Sequence, residues 1–314
     1  MSRKVKIAVL GSLIYDCVLW GPRLPRKGET VAGFRNGFFT GGKGANQAVQ
    51  AAKLGADVYM IGKLGTDTPG GILMDALNKT GVHTDYIKVS RDEGTGTCGI
   101  FVDENGDNMI MTSLAGNMTI KPEEIEEAMS RIGEFDVFLT QLETSMESID
   151  YALSKAKKAG VKVIINPAPA LGIPDEFFKG VDFATPNETE AETYTGIMPA
   201  FDDKEGTKRA AEAIMEKGAK GAVFTLGSQG SYYFDGNKEI FAPSYKINAV
   251  DATAAGDAFN AAFAVSIASG AAPENAMKFA NAAGAIAASR AGAQPSLGTI
   301  EELTAFLKER GVTL

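Results

Sequence analysis

Two short segments combine small residues with side chains that can carry phosphate or proton chemistry. The first, which we call the aspartate turn, is Asp251-Ala-Thr-Ala-Ala-Gly-Asp257, and it leads into the apolar helical run of residues 258–268. The first N–H groups of a helix have no intrahelical acceptor, and together with the helix dipole they bind phosphate or another anion. Small side chains allow such donors to converge. The turn therefore indicates an anion site, in which Asp257 either caps the helix or reaches into a cleft.

The second segment, which we call the glycine turn, is Gly41-Gly-Lys-Gly-Ala-Asn-Gln47, and it opens the helical pattern of residues 44–54. Glycine allows a ligand to approach the backbone closely, and Lys43 and Asn46 add hydrogen-bond donors. The segment is not a P-loop, because that motif has four residues between its glycines and Ser or Thr after the lysine. It is either a ligand-binding turn or a glycine-rich turn without a ligand.

Polar residues also follow three strand-like runs, at Glu143, at Thr185–Glu190 and at Thr225–Gly230. They either face a cleft at the carboxyl edge of a sheet or serve only the local turns. Residues 94–99 match the GxGxxG fingerprint of dinucleotide-binding proteins, but a strand-like run and a turn follow instead of a helix. Because the fingerprint requires a following helix, we predict no nicotinamide or flavin site there.

The elements that must position these residues alternate between short apolar runs and longer helical patterns, which is typical of α/β proteins. Strand-like runs cover residues 4–10, 58–61, 137–140, 161–165, 181–184 and 222–226. Helical patterns cover residues 44–54, 68–80, 122–132, 146–159, 204–217, 257–269 and 273–291. Continuous apolar runs are expected of buried parallel strands, so we predict a doubly wound, mostly parallel central sheet.

Residues 14–40 and 95–113 break this alternation, because they show short strand-like stretches with turn signals and no helical period. Neither segment is long enough for a core of its own. We predict that the two form a small sheet inserted into a single domain of residues 1–314. Such a sheet serves either as a lid over a cleft or as a structural extension.

The composition argues against several kinds of function. Asp and Glu number 39 against 31 Lys and Arg, a net charge of −8, which argues against nucleic-acid binding. One histidine and two cysteines are too few for a structural zinc site, and we expect reduced, buried thiols at Cys17 and Cys98. We place His83 in a solvated loop, away from any Ser-His-Asp triad. No uncharged apolar stretch reaches the length of a membrane span, so we expect a cytoplasmic protein.

Five segments together resemble the ribokinase-type, or phosphofructokinase-B, family of carbohydrate kinases over nearly the whole chain. Residues 41–48 are similar to its N-terminal signature and residues 251–260 to its C-terminal signature, while residues 166–170, 185–192 and 292–296 match other segments in order. The resemblance implies a three-layer αβα fold with a β-sheet lid. It also implies ATP-dependent phosphorylation of the terminal primary hydroxyl of a small sugar, ribose first, and a homodimer joined through the lids.

The resemblance also implies roles for individual residues. Asp257 matches the catalytic base, and Ala254, Ala255 and Gly256 match a backbone anion hole for the γ-phosphate. Sugar-binding positions are matched by Ile14, Asp16, Gly42, Lys43, Asn46, Glu143 and Asp257, and ATP-binding positions by Asn187, Glu190, Thr225, Gly227, Ser228, Gly230, Gly256 and Asn281. Asn187 and Glu190 belong to a motif associated with Mg²⁺. Activation by K⁺ is implied at Asp251, Thr253, Ala287, Arg290, Gly292 and Ser296.

Ile14 departs from the family pattern, which has an asparagine that hydrogen-bonds a sugar hydroxyl. A hydroxyl buried against Ile14 without a partner would cost about 1–3 kcal/mol, so 2-deoxyribose is an alternative to ribose. Other sugars, nucleosides and phosphorylated sugars remain open, the last only if Arg23, Arg26 and Lys27 are more than a solvated basic hairpin. A non-catalytic sugar sensor would be expected to lose Asp257 or the glycine before it.

The aspartate turn also predicts the electrostatic state of its carboxyl group. A helix N-terminus favours negative charge, so we expect a lowered pKa for Asp257. Positioning and charge stabilisation are therefore expected to matter more than base strength.

Overall fold

Strands and helices alternate along most of the chain in the computed structural model, which describes residues 3–313. The strands are β1 Lys6–Leu10, β2 Ile14–Trp20, β3 Arg35–Gly41, β4 Asp57–Gly65, β5 His83–Ser90, β6 Gly96–Val102, β7 Asn108–Ser113, β8 Val137–Thr140, β9 Lys162–Ile165, β10 Phe183–Ala184, β11 Ala222–Thr225, β12 Gly230–Phe234 and β13 Glu239–Pro243. The helices are α1 Lys43–Lys53, α2 Thr68–Lys79, α3 Pro122–Ser130, α4 Met146–Lys158, α5 Glu188–Thr195, α6 Lys204–Glu216, α7 Ala255–Ala268, α8 Pro273–Ala288 and α9 Ile300–Glu309.

Nine strands form the central sheet in the order β13-β12-β11-β10-β9-β8-β1-β4-β5. The pairs from β11 to β5 are parallel, whereas β12 and β13 join one edge antiparallel. In the middle of the sheet Val9 pairs with Met60 and Leu139, and all three side chains are fully buried. The predicted mostly parallel, doubly wound sheet is confirmed.

Helices cover both faces of this sheet and separate two hydrophobic cores. Helices α1, α7 and α8 contribute many small alanines to the core on one face, while α4 and α6 pack into the core on the other. Close packing of α1 against α7 brings the beginnings of the two helices together at the carboxyl edge of the sheet. Within residues 3–313, no helix is both long and apolar enough to cross a membrane.

The small sheet has four strands in the order β3-β2-β6-β7. Strand β2 pairs antiparallel with β3 and parallel with β6, and β6 and β7 form a hairpin. The two inserted segments therefore merge into one sheet, as predicted, with β2 at the join. Because Ile14 is paired with both Gly41 and Gly96, three strand ends of the small sheet meet beside the start of α1.

The prediction for His83 is wrong. His83 begins β5 instead of lying in a loop, and its Nε2 atom is 2.8 Å from an Asp57 carboxylate oxygen. Its ring stacks on Tyr59 at a centroid distance of 4.2 Å, although the side chain stays 42% exposed. Cys98 is buried as predicted, whereas Cys17 is only half-buried, and both are free thiols.

Candidate active site

Asp257 lies in the first turn of α7 and lines a cleft of about 960 Å³. One carboxylate oxygen, Oδ2, accepts a hydrogen bond from Asn46 Nδ2 at 2.8 Å, and the other, Oδ1, accepts one from Gln47 Nε2 at 2.9 Å. The residue is only 9% exposed. Burial raises the pKa of Asp257 above its usual value, although Lys43 and the two amides lower it. The expectation of a lowered pKa is therefore wrong, because desolvation outweighs the favourable partners.

The small residues before Asp257 form an open turn. Ala254 has φ 62° and ψ 6°, a left-handed conformation that costs a residue with a Cβ about 1–2 kcal/mol. Ala254, Ala255 and Gly256 line the cleft, and a Cβ added to Gly256 would have no other group within 4 Å. The Ala255 N–H already donates to the Ala252 carbonyl oxygen at 3.1 Å, so the N–H groups of Gly256 and Asp257 are the donors at this helix start that are suited to bind an anion.

Three charged side chains and one serine gather at the other helix start, in what we call the Lys43 cluster, namely Ser12, Asp16, Lys43 and Glu143. Lys43 Nζ lies 2.7 Å from Glu143 Oε1, and Ser12 Oγ donates a hydrogen bond of 2.5 Å to Glu143 Oε2. Burial and the charge of Glu143 raise the pKa of Asp16 to about 7, against the opposing effect of Lys43. Burial lowers the pKa of Lys43, but the carboxylates of Glu143 and Asp257 raise it more, so the net shift is upward. The cluster offers donors and acceptors suited to a ligand rich in hydroxyl groups.

In the glycine turn, glycine is needed because residues 11–16 pack closely against the backbone of the turn. A Cβ on Gly42, whose φ is 90°, would lie 2.7 Å from the Ser12 carbonyl oxygen, and one on Gly44 would lie 2.5 Å from the Gly11 carbonyl carbon. A Cβ on Gly41 would meet the Asp16 carboxylate. These contacts explain the glycines through packing, and close approach of a ligand is not needed to account for them.

The cleft does not include every predicted sugar-binding residue. Lys43 and Asp257 line it, whereas Ile14, Asp16, Gly42, Asn46 and Glu143 do not. Ile14 is only 5% exposed at the start of β2, next to the glycine turn. The structure thus brings the predicted sugar residues close to one another, but only Lys43 and Asp257 border the open cleft.

All the predicted ATP-binding residues line the cleft. They are Asn187, Glu190, Thr225, Gly227, Ser228, Gly230, Gly256 and Asn281. Asn281 donates hydrogen bonds to the carbonyl oxygens of Ala242 and Pro243, which ties α8 to β13. Tyr245, Ile247 and Ala285 add apolar surface to the lining. A cleft lined by both polar groups and apolar side chains suits a nucleotide.

Asn187 and Glu190 cap α5 by reciprocal hydrogen bonds. Asn187 Oδ1 accepts from the Glu190 N–H at 2.8 Å, and Glu190 Oε2 accepts from the Asn187 N–H at 2.9 Å. Burial raises the pKa of Glu190 above its usual value, partly offset by the Asn187 N–H and by Lys43. Within the described residues no three His, Cys, Asp or Glu side chains are grouped as a metal site.

Among the residues predicted for a monovalent cation, Thr253 and Gly292 are joined through Asp251. Its Oδ1 accepts from the Thr253 N–H at 2.9 Å and from Thr253 Oγ1 at 2.6 Å, and its Oδ2 accepts from the Gly292 N–H at 2.9 Å. Partial burial raises the pKa of Asp251, but these hydrogen bonds lower it by more, so the net shift is downward. The Arg290 guanidinium binds Glu302 instead, and Ser296 Oγ donates to the Ala293 carbonyl oxygen. The Ala287 carbonyl accepts from the Arg290 N–H.

The basic hairpin residues are exposed. Arg23 pairs with Glu29 through both guanidinium nitrogens, and the Arg26 N–H also donates to Glu29. With its charge already paired, Arg23 fits a solvated hairpin better than a phosphate pocket.

Sequence reasoning missed three amide side chains around Asp257. Gln47, Gln141 and Asn166 are buried and joined by hydrogen bonds, and Gln47 reaches the carboxylate directly. The only signal for Gln47 was its place one residue after Asn46. The other two follow β8 and β9, where polar residues at strand ends suggested a site only in general terms.

A buried carboxylate between a cluster of polar and charged side chains and an open turn at a helix start is suited to phosphoryl transfer onto a small polar acceptor. Comparison with known proteins agrees with this class, because residues 4–300 match the family described as pfkB family carbohydrate kinase. The chain belongs to this family, and it is a carbohydrate kinase.

Relatives within the family include two kinds of pentose kinase. A ribokinase from Haemophilus influenzae is 36% identical over 302 residues, covering 96% of this chain and 98% of the relative. A deoxyribokinase from Salmonella typhimurium is 35% identical over 302 residues, again covering 96% and 98%. The structure of an Arabidopsis thaliana ribokinase complexed with ribose and ATP aligns with a TM-score of 0.92 at 33% identity, covering 98% of this chain and 99% of that one.

Proposed function

We propose that this protein transfers the γ-phosphate of ATP to the primary hydroxyl of a pentose, with ribose as the first candidate. The observation that carries the proposal is the position of Asp257, which lies beside Lys43 and follows directly on the open turn at the start of α7. An acceptor hydroxyl near Lys43 would then face a phosphate held by the turn. The similarity to ribokinases supports ribose as the acceptor and ATP as the donor.

The proposed reaction is a direct transfer. The sugar hydroxyl oxygen forms a bond to the γ-phosphorus, the bond from that phosphorus to the β–γ bridging oxygen breaks, and ADP leaves. Asp257 accepts the hydroxyl proton, and burial raises its pKa, which makes the carboxylate a stronger base. Backbone N–H groups at the start of α7 stabilise negative charge on the transferred group without having to reorganise.

The test of this assignment is the Asp257→Asn variant. We expect kcat to fall by about 10²–10⁴, the usual contribution of a general base, while the Kd for ATP stays near that of the wild type. Steady-state ADP release and calorimetric ATP binding measure the two quantities. Near-normal turnover would remove Asp257 from the role of base.

A second candidate substrate, 2-deoxyribose, is favoured by the buried apolar side chain of Ile14. The deoxyribokinase relatives are as similar to this chain as several ribokinases, so overall similarity does not separate the two sugars. An ADP-release screen should compare ribose, 2-deoxyribose, fructose and nucleosides. The sugar with the highest kcat/KM identifies the acceptor class, and no activity on any of them would favour a sensor.

The residues present fit the proposed Mg²⁺. Mg²⁺ is commonly held by one or two carboxylates together with phosphate oxygens and water, and Glu190 with Asn187 provides such a partial set. When bound, Mg²⁺ would neutralise phosphate charge. Replacing Glu190 by Gln should therefore raise the Mg²⁺ concentration needed for half-maximal rate, whereas the KM for sugar should stay unchanged.

The oxygen atoms around Asp251 also fit the proposed K⁺ site. Arg290 offers only its backbone there, because its guanidinium binds Glu302, so no cationic head competes with the ion. When bound, the ion would add positive charge behind the aspartate turn. We expect the rate to depend on K⁺ in assays buffered with a bulky organic cation, and the Asp251→Asn variant to lose that dependence.

We also propose that the small sheet mediates a homodimer. All six side chains of β7 are exposed, including Met109, Ile110 and Met111, and Met111 is 80% exposed. Met109 and Met111 lie on one face of the small sheet, and Phe38 on β3, in register with Met111 through Cys17 and Gly99, extends this apolar face. Light scattering should show that Met111→Arg favours monomers, while Met198→Arg, a comparable change at an exposed methionine outside the small sheet, leaves the oligomeric state unchanged.

A further inference from the structure

Gln47 makes a direct contact with Asp257 from a fully buried position on α1. Its Nε2 atom donates to Asp257 Oδ1 at 2.9 Å and to Asn166 Oδ1 at 3.1 Å. Asn166 lines the cleft, whereas Gln47 does not. Because Gln47 is fully buried and both ends of its amide are hydrogen-bonded within the protein, the amide supports the carboxylate from the protein side and is not available to a ligand.

The direction of the Gln47 amide is fixed by its neighbours. Asn166 Nδ2 donates to the backbone carbonyl oxygen of Thr185 at 3.0 Å, which leaves Asn166 Oδ1 as the acceptor facing Gln47. On the other side Gln141 Nε2 donates to Gln47 Oε1 at 2.5 Å. Because a carbonyl oxygen can only accept, the chain of bonds permits one orientation, with the Gln47 NH₂ group toward Asp257.

Asn46 makes a different kind of contact with the same carboxylate. Its Nδ2 donates to Asp257 Oδ2, but its own Oδ1 is buried without a hydrogen-bond partner among the described residues. Since a sugar hydroxyl can satisfy that oxygen, Asn46 is free to change partners when the sugar binds. Gln47 has both of its amide ends engaged and has no such freedom.

We propose that Gln47 is a positioning residue that holds Asp257 Oδ1, so that Oδ2 is presented to the sugar hydroxyl. This inference rests on the proposed role of Asp257 as base. Holding one oxygen restricts rotation of the carboxylate, and a base held in a productive geometry loses less entropy on reaching the transition state. The charged groups that face Asp257 are Lys43 from α1, Glu143 after β8 and Glu190 from α5. None of them makes a hydrogen bond to Oδ1 in the described structure.

The test compares Gln47→Met with Gln50→Met. Gln50 lies on the same helix and is equally buried, but its Nε2 donates to the Gly298 carbonyl oxygen and it does not touch Asp257. Loss of a hydrogen bond to a charged group should lower kcat of Gln47→Met by about tenfold or more, with little change in KM for ATP. The acid limb of the pH profile of kcat/KM should move up by about one unit, because the carboxylate loses a donor that favours its ionised form. Gln50→Met should leave the position of that limb unchanged.

A second variant, Gln141→Met, keeps the inference testable if Gln47→Met does not fold. It removes the donor that orients Gln47, so we expect the same shift of the acid limb with a smaller loss of kcat. Wild-type kcat and pH profile in folded Gln47→Met or Gln141→Met, with Asp257→Asn inactive, would overturn the role of Gln47 alone. An equal shift in Gln50→Met would also overturn it, since the effect would then be structural. Normal turnover of Asp257→Asn would instead refute the proposed base.

Discussion

The glycine turn and the aspartate turn both open helices with small residues, yet their small residues do opposite things. At Gly42 and Gly44 an added Cβ would come within 3 Å of backbone atoms of residues 11–14. At Gly256 it would meet no other group within 4 Å, and the neighbouring Ala254 adopts a left-handed conformation without being glycine. Glycine in the first turn therefore serves the packing of the chain, while small residues in the second leave space for a ligand.

The two turns also differ in how they would recognise their ligands. Around the glycine turn the polar groups are side chains, above all Lys43 and Glu143, which already bind each other. Around the aspartate turn the cleft is lined by Ala254, Ala255 and Gly256, which offer only backbone groups. Fixed backbone donors suit a phosphate, whose charge is the same in every substrate, whereas side chains suit a sugar, whose hydroxyl pattern must be distinguished.

The largest effect on activity that separates the two turns is expected from Gly256→Ala. The added methyl group would enter the open space proposed for the transferred phosphate and weaken contacts with the backbone donors. Loss of one such donor commonly lowers kcat by about 10²–10³, so we expect a fall of about a hundredfold. The unfolding temperature should be unchanged or slightly higher, because alanine in a helix is more stable than glycine by about 0.5–1 kcal/mol. Kinetics close to the wild type would show that the open space is not used.

Gly44→Ala should show the reverse pattern, with loss of stability as its main effect. Its Cβ would lie 2.5 Å from the Gly11 carbonyl carbon, and backbone cannot move away as a flexible side chain can. Overpacking of this kind costs about 1–3 kcal/mol of unfolding free energy, which denaturant titration measures. The matched control is Gly71→Ala, a glycine within α2 whose added Cβ has no neighbour within 4 Å. Equal stability of Gly44→Ala and Gly71→Ala would contradict the packing role of Gly44.

The sequence predicted the central sheet well because buried parallel strands are continuous apolar runs, and residues 137–140 match β8 residue for residue. Strands β5, β12 and β13 and helix α9 were not predicted. Strand β5 has only two buried residues next to each other, and β13 has one, so neither shows a continuous apolar run. Strand β12 is fully buried but directly follows the turn of residues 227–229, whose glycine marks the end of β11 and hides the start of a new strand.

The site was predictable where it depends on local sequence and less so where it depends on tertiary contacts. Both turns carry their signal in neighbouring residues, the strand-end pattern pointed to Glu143, and the family resemblance added Asn281. The link from Gln47 to Asp257 joins residues 210 positions apart, and no local pattern reveals it. The pKa of Asp257 escaped prediction for the same reason, because burial by distant segments reverses the effect expected of the helix N-terminus.

A smaller effect is expected from the ionisation of Asp16, whose carboxylate lies against Gly41 in the glycine turn. Its pKa is raised to about 7, so the group is largely protonated at pH 6 and ionised at pH 8. If sugar hydroxyls donate to the carboxylate, KM for the sugar should rise by about tenfold from pH 8 to pH 6, while KM for ATP stays constant. The Asp16→Asn variant should bind sugar more weakly and without this dependence.

Folding should respond to the same titration with the opposite sign. The folded pKa of Asp16 lies above its unfolded value, so the folded state binds more protons between pH 4 and pH 7. Its contribution to stability is therefore complete below about pH 4 and is lost as the pH rises to about 7. If KM for the sugar and the unfolding temperature both fall as the pH rises from 6 to 8, the effect of Asp16 on binding is distinguished from its effect on folding. A KM for sugar that is constant between pH 6 and pH 8 would contradict the role of Asp16 in binding.

The smallest effect is expected at Ile14 on β2, which pairs with Gly41 of the glycine turn and is only 5% exposed. Asparagine at this position would offer a donor and an acceptor to a sugar hydroxyl, and a neutral hydrogen bond contributes about 0.5–1.5 kcal/mol. The ratio of kcat/KM for ribose to that for 2-deoxyribose should therefore rise by about two- to tenfold in Ile14→Asn. Ile14→Leu, which changes shape but not polarity, should leave the ratio unchanged. An equal ratio in all three proteins would place Ile14 outside the contact with the hydroxyl that distinguishes the two sugars, and selectivity would then have to come from the Lys43 cluster.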